Sequence, residues 1–178
     1  MEHENNFPYR LVCCSDILGF SQKFRGMTPK DKHQKYFRII EALKSACHYV
    51  ADYRKEPSAF SLLRCNFNWF SDTFILFSNE FSLNHDPDSI EELLIDFFRS
   101  VKALFLRFLY YGFPLRGGIS YGEFIAYPTE NIFIGEALID AYKNTENHAW
   151  AGIAVLPDLS LQISNYKKVE KLLATYNV

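Results

Sequence analysis

The chain has 178 residues, the length of a single domain, and 48% hydrophobic and 17% aromatic residues are enough to build a packed core. The formal net charge of −2 excludes a strongly basic nucleic-acid surface, and the composition argues against disorder over most of the length. No apolar run of about eighteen residues is present, and the polar first residues do not resemble a signal peptide. We therefore expect one cytosolic domain over residues 1–178, with no membrane or nucleic-acid partner, a loose lead-in at 1–7 and a peripheral tail at 165–178.

The four cysteines have neither zinc-site nor CxxC spacing. We interpret them as reduced and mostly buried small residues, because a thiol without a partner behaves as a small hydrophobe.

The first half of the chain alternates strands and helices. Apolar residues 9–15 predict a buried strand, and helical spacing predicts a helix over Pro29–Tyr53. Aromatic and β-branched residues predict two further strands, at 60–68 and at Thr73–Phe77. A polar corner at 71–72 stands between them.

The second half continues with a long helix and a glycine-rich strand. The predicted elements are a helix at 91–111, a strand at 115–122 that extends to 127, a returning strand at Ile132–Ile134, a helix at Glu136–Asn147, a strand at 151–155, a short helix at 159–163 and a peripheral helix in the tail. This order predicts an α+β fold in which helices cover one sheet.

Two acidic residues stand at the ends of apolar strands. Asp16 follows the first strand, and Gly19 behind it permits a tight turn. Asp72 lies at the corner between two aromatic strands. A carboxylate is unusual there, because a buried strand normally carries no charge. We hypothesise that the two carboxylates meet and hold divalent metal over a triphosphate, because hard oxygen ligands suit Mg²⁺ and Mn²⁺. For either residue alone, a turn or helix-cap acid is the alternative.

Four segments resemble, in family order, the motifs of class III nucleotidyl cyclases. The first metal motif is matched by 16–21, the second by 71–72 with 74–77, the glycine-rich strand by 116–122, and the closing helix and strand by 135–143 with 152–155. The segment 146–152 resembles that of the small bacterial pyrimidine cyclases of anti-phage defence, the Pycsar type.

This resemblance implies a ferredoxin-like class III cyclase fold, with an antiparallel-rich sheet covered by helices. It implies a uridylate or cytidylate cyclase, with UTP favoured over CTP, whose cyclic nucleotide is read by a separate effector. The metal ligands would be Asp16, Asp72 and the carbonyl of Ile17, binding two Mn²⁺ or Mg²⁺ ions. The backbone N–H groups of Leu18, Gly19 and Phe20 would hold phosphate oxygens.

The residues at the base-reading positions differ from those of purine cyclases. Asn68 stands where adenylate cyclases carry lysine and guanylate cyclases carry glutamate, and Ile132 occupies the second position. An amide both donates and accepts, so Asn68 can address the edge of a pyrimidine. Phe70 and Trp69 would help to close a smaller pocket, with core packing as the alternative for both.

The catalytic positions also differ. The family's transition-state asparagine falls at Ile139 and its arginine at Lys143, which supplies a point charge without the guanidinium fork. Arg116 is either a substitute phosphate contact or a structural salt-bridge partner. Ser71 replaces a glycine of the family at the tight corner.

The family forms its site between two subunits, so one copy of the domain implies a head-to-tail homodimer, with the hairpin around Pro128 as a candidate arm. Three alternatives stay open: a purine cyclase with an unusual base pocket, an inactive cyclase-like domain that binds nucleotide or a partner, and an RNA-binding sheet domain. Ile139 and Lys143 favour the inactive domain, while the acidic balance weakens the RNA-binding one.

Overall fold

The computed structural model describes residues 7–53, 65–83, 86–147 and 149–174. Its elements are β1 (Tyr9–Ile17), α1 (Phe20–Phe24), α2 (Pro29–Tyr53), β2 (Asn66–Phe70), β3 (Thr73–Phe77), α3 (Pro87–Tyr110), β4 (Leu115–Glu123), β5 (Ile125–Tyr127), β6 (Ile132–Ile134), α4 (Glu136–Asn147), β7 (Gly152–Val155), α5 (Pro157–Ile163) and α6 (Lys167–Ala174).

Five strands form the central sheet in the order β2-β3-β1-β4-β7. All neighbours run antiparallel except β4 and β7, which are parallel. Strands β5 and β6 form a separate hairpin. The predicted α+β fold with an antiparallel-rich sheet and covering helices is therefore confirmed.

One face of the sheet packs against the long helices α2 and α3. Leu11, Cys13 and Ile17 of β1 lie on this face, because side chains alternate along a strand. Phe108 of α3 meets Phe74 of β3 edge to face, with 4.7 Å between ring centroids. Both rings are fully buried, and each such side chain contributes roughly 1.5–3 kcal/mol through burial.

Helix α4 covers the other face. Ala137 packs with Val12, and the Thr145 hydroxyl donates to the Cys14 carbonyl at 3.1 Å. Gly135 makes the approach possible, because a Cβ atom there would lie 2.1 Å from the Glu123 carbonyl oxygen. Glycine therefore fixes where α4 begins over the sheet.

Several predicted boundaries are wrong by a few residues. The strand predicted at 115–127 breaks at Phe124, whose ring is buried between the sheet and the hairpin and whose N–H donates to the Pro8 carbonyl at 2.9 Å. Strand β2 ends at Phe70 instead of at residue 68, and residues 60–64 of that prediction lie outside the described residues. The five-residue helix α1 was not predicted, because it is too short to show periodicity.

The described cysteines agree with the interpretation as reduced residues. Cys13 and Cys14 are free and buried, and Cys65 is half-buried. Burial, with a smaller effect from the Asp16 charge, raises the pKa of Cys14 to about 12, so its thiol stays protonated and unreactive. No helix in the described residues is long and apolar enough to cross a membrane.

The tail docks through α6, as a peripheral helix was predicted there. Val169 is fully buried against the α3 side of the core. Glu91 of α3 accepts from the Lys168 backbone N–H at 2.9 Å and pairs with the Lys168 ammonium at 2.9 Å. Hydrogen bonds from Lys168 lower the pKa of Glu91 below its ordinary value.

Replacing Glu91 with Gln should weaken the contact between α3 and α6. A carboxyl whose pKa is lowered by folding stabilises the protein above its unfolded pKa, and this contribution is lost as the pH falls through the folded pKa. We expect E91Q to lower Tm by about 2–4 °C at pH 7, with the difference closing below about pH 4. Thermal melts from pH 3 to pH 7 test this, with Glu41→Gln on exposed α2 as the control. An E91Q difference that does not shrink between pH 7 and pH 3 would contradict the electrostatic explanation.

Candidate active site at one end of the sheet

One row of paired residues crosses the whole sheet at the end where β1 stops. From β2 to β7 the row consists of Phe70, Thr73, Asp16, Arg116 and Gly152. Side-chain alternation places this row on the face that α4 covers. The ends of five strands therefore present their side chains to one shared surface.

Asp16 and Arg116 form the strongest polar contact in the row. The Arg116 Nε donates to Asp16 Oδ1 at 2.8 Å, and a terminal nitrogen donates to Oδ2 at 3.1 Å. The side chains are only 19% and 25% exposed, respectively, so water competes little for this bidentate pair. Of the two alternatives for Arg116, the salt bridge is observed, and its partner is the predicted metal ligand itself.

Asp72 lies beside Asp16 at the β2–β3 corner. Its carbonyl accepts a hydrogen bond from the Ile17 N–H at 3.1 Å, and Thr73, the next residue, pairs with Asp16. Ser71 before it has a φ of 58°, a left-handed conformation that costs a non-glycine residue roughly 1 kcal/mol. The structure thus brings the two predicted acids to neighbouring strand ends.

The chemistry of these donors fits a divalent cation. The two carboxylates, with the carbonyl of Ile17, are hard oxygen ligands. Each oxygen of Asp16 keeps a second lone pair beside its bond to Arg116. The described residues contain no group of three or more His, Cys, Asp or Glu that could hold a metal. Further ligands would therefore come from water and substrate phosphate, as is usual for Mg²⁺.

The predicted phosphate cradle needs a correction. The Leu18 N–H donates to the Pro114 carbonyl at 2.9 Å, because the contact between β1 and β4 continues one residue beyond the paired strands. Gly19 then takes a φ of 70° and starts α1 at Phe20. The Leu18 amide therefore already has a partner, and the cradle with Gly19 and Phe20 stays a prediction.

The predicted base-reading residues lie on two sides of the sheet. Asn68 shares the face of Asp16, one row further in, and its amide lies 3.5 Å from Asn131 of the β5–β6 turn. Phe70 shares this face too and is 82% exposed. Trp69 lies on the opposite face and stacks on Phe74 with 6.3 Å between ring centroids. Trp69 is 43% exposed and covers the buried Phe74 ring from outside, so it packs against the edge of the core on the face away from Asp16.

Helix α4 places Lys143 on its outer side. The side facing the sheet carries Ala137, Ala141 and Thr145, at intervals of four residues. Ile139 and Lys143, also four residues apart, are exposed, and Lys143 lies 3.9 Å from Asp140. Within one chain, the Lys143 side chain is therefore exposed to solvent and lies away from the row.

Sequence reasoning did not single out Trp150 as a site residue. A Cβ atom on Gly152 would lie 1.7 Å from the Trp150 ring, so the half-exposed indole lies directly across that glycine. Gly152 pairs with Arg116, which puts the indole at the edge of the row. The available signal was the glycine at the start of a strand, since such glycines often mark close approach.

A solved structure of a bacterial light-regulated adenylyl cyclase is similar to this chain, with a TM-score of 0.51 and 10% sequence identity over 94% of this chain and 80% of that chain. No family model matches the sequence, and no curated protein matches it. At this identity the likeness concerns the fold. The chain therefore has a cyclase-like α+β fold, and the row that contains Asp16 and Arg116 lies at one end of its sheet.

The ion pair between Asp16 and Arg116 should be energetically coupled. Asp16→Asn or Arg116→Gln alone leaves one partly buried charge without its partner, which costs more than losing both. We expect a coupling energy of about 1–3 kcal/mol in a double-mutant cycle measured by urea unfolding.

The matched control is the exposed pair of Asp140 and Lys143, for which the same cycle should give less than about 0.5 kcal/mol. Equal coupling energies for the two pairs would contradict the account of a partly buried, bidentate contact.

Proposed function

We propose that the protein is a metal-dependent nucleotidyl cyclase that converts a pyrimidine ribonucleoside triphosphate, UTP in preference to CTP, to a cyclic mononucleotide and pyrophosphate. The observation that carries the proposal is the placement of Asp16 and Asp72 at neighbouring strand ends of a cyclase-like fold. Two acids so placed, beside an arginine, suit a polyphosphate bound with divalent cation.

The polar groups at this end of the sheet have separate roles in this proposal. Bound Mn²⁺ or Mg²⁺, two ions per site, would lower the pKa of the attacking ribose hydroxyl and neutralise the departing pyrophosphate. Asp16 and Asp72, with the Ile17 carbonyl, hold the cations. Arg116, whose guanidinium fork matches two phosphate oxygens, contacts the triphosphate, and the Gly19–Phe20 turn lies against its phosphates.

The base pocket is assigned to the α4 face of β2. Asn68 addresses the base edge through its amide, while Phe70 and Ile132 supply apolar surface. The contact between Asn68 and Asn131 supports this, because it sets the amide beside the hairpin that carries Ile132. A short apolar wall with one neutral amide suits a pyrimidine better than a purine.

A homodimer completes the site in this proposal. Large apolar side chains are exposed on the hairpin and on α4, and they are Tyr127, Ile132, Ile134, Ile139 and Tyr142. Exposed apolar side chains on neighbouring elements favour protein contact. Lys143 lies on the same outer side of α4, from which it would reach the phosphates of a partner's site.

The proposed biological role follows the resembling branch: the cyclic pyrimidine nucleotide is a second messenger in anti-phage defence, and a separate effector that responds to it is the downstream partner. A catalytically inactive, nucleotide-binding domain is the second candidate. It is favoured by one observation, the exposed apolar Ile139 at the position where the family carries its transition-state asparagine.

Incubation with each of the four ribonucleoside triphosphates and Mn²⁺ tests the activity. We expect a cyclic pyrimidine product, with at least about a 100-fold loss in Asp16→Asn and in Asp72→Asn, because each removes a cation ligand. Asp158→Asn, on the distant helix α5, is the control and should retain activity. A purine product would contradict the assigned base, and nucleotide binding without product would favour the inactive domain.

A mixing experiment tests the shared site. Asp72→Asn and Lys143→Ala homodimers should each be nearly inactive, since each lacks one essential part in both sites. After subunit exchange, half of the dimers are mixed and each has one intact site, so activity should recover to about a quarter of wild type. If subunit exchange is complete and the mixture is still inactive, Lys143 does not act across an interface.

A further inference from the structure

A second groove lies at the opposite end of the sheet from the candidate active site. It has a volume of about 880 Å³ and is lined by Tyr9, Phe81, Tyr121, Gln162, Tyr166 and Glu80, among others. Tyr9 begins β1 seven residues before Asp16, which separates the two places by roughly 23 Å along the strand. Nothing in the proposed cyclase mechanism uses this groove.

Its aromatic rings are held in a fixed arrangement. Tyr121 lies between Tyr9 and Phe81, with centroid distances of 5.6 and 5.1 Å and ring planes tilted by 50° and 49°. The Tyr121 hydroxyl donates to the Phe81 carbonyl at 3.1 Å, and the Phe81 N–H donates to the Tyr9 carbonyl at 3.1 Å. The three rings therefore pack against one another at fixed angles, and Tyr9, at 44% exposure, is the one most open to the groove.

The charge of the groove has one sign. Glu80 is the charged residue in the lining, and no lysine, arginine or histidine of the described chain lines it. Arg10 does not line the groove: it lies on the other face of β1, where its guanidinium donates to the Ser78 carbonyl at 2.9 Å. Burial lowers the pKa of Arg10, and the nearby Glu80 charge partly opposes this, so Arg10 offsets part of the Glu80 charge from behind the strand. Burial raises the pKa of Tyr121 and of Tyr166, so both phenols are neutral at physiological pH. An anion finds no positive partner in this lining.

We propose that this groove binds a small organic cation with an ammonium head group. Aromatic faces attract a cation through the ring quadrupole, and a carboxylate at the rim adds a direct charge partner. The amide of Gln162 offers a polar contact for the remainder of such a molecule. The proposal is independent of the cyclase activity, since it involves other residues at the other end of the sheet.

Choline and its uncharged isostere 3,3-dimethyl-1-butanol test the proposal, with binding to the full chain measured by ligand-observed NMR at constant ionic strength. We expect choline to bind at least about fivefold more tightly than the alcohol, as one unit of charge facing rings and a carboxylate predicts. Tyr121→Leu, Tyr9→Leu and Glu80→Gln should each weaken choline binding about threefold. Tyr9→Leu changes a half-exposed ring and keeps the test valid if Tyr121→Leu unfolds.

Two controls separate the outcomes. Tyr110→Leu removes an aromatic ring that is 80% exposed on α3 outside the groove, and it should leave choline binding unchanged. Asp72→Asn should also leave choline binding unchanged, because Asp72 lies at the other end of the sheet. A negative result in the cyclase assay therefore does not decide whether the groove binds choline. Equal affinity for choline and the alcohol, or no binding of choline at millimolar concentration, overturns the proposal.

Discussion

The pairing of Asp16 with Arg116 determines what this end of the sheet can bind. It joins β1 and β4, the two longest strands, at the row that also carries the Asp72 corner. A partly buried carboxylate needs a positive partner, and the guanidinium supplies one. The same contact therefore stabilises the folded chain and keeps two opposite charges at the place where a metal-bound triphosphate would need them.

Because side chains alternate along β1, one face of the strand packs in the core and the other face carries Asp16. Leu11, Cys13 and Ile17 point to α2 and α3 and belong to the core on that side, while Asp16 lies on the face beneath α4. The α4 side is packed by small residues near Cys14, and the charged pair of Asp16 and Arg116 lies at the strand ends. A charge can thus sit at the end of a buried strand without interrupting the helix-side core.

The sequence allowed prediction of the strands, the long helices and both acids, because periodicity and the polar corner are local signals. Contacts between distant segments were not predictable in the same way. The partner of Arg116 depends on the β1–β4 register, the loss of the Leu18 amide depends on Pro114, and the position of Trp150 depends on packing across Gly152. Trp69 and Phe70 are adjacent and similar in type, yet only strand pairing assigns them to opposite faces.

The central claim is that Asp16 and Asp72 share a cation above the end of the sheet. Its most direct test is a crystal structure with Mn²⁺ and a non-hydrolysable UTP analogue, with manganese located by anomalous scattering. The account predicts manganese within about 2.0–2.3 Å of oxygens from both carboxylates, with Arg116 turned from Asp16 towards phosphate. Manganese bound elsewhere, with the pair between Asp16 and Arg116 intact beneath the nucleotide, would contradict it.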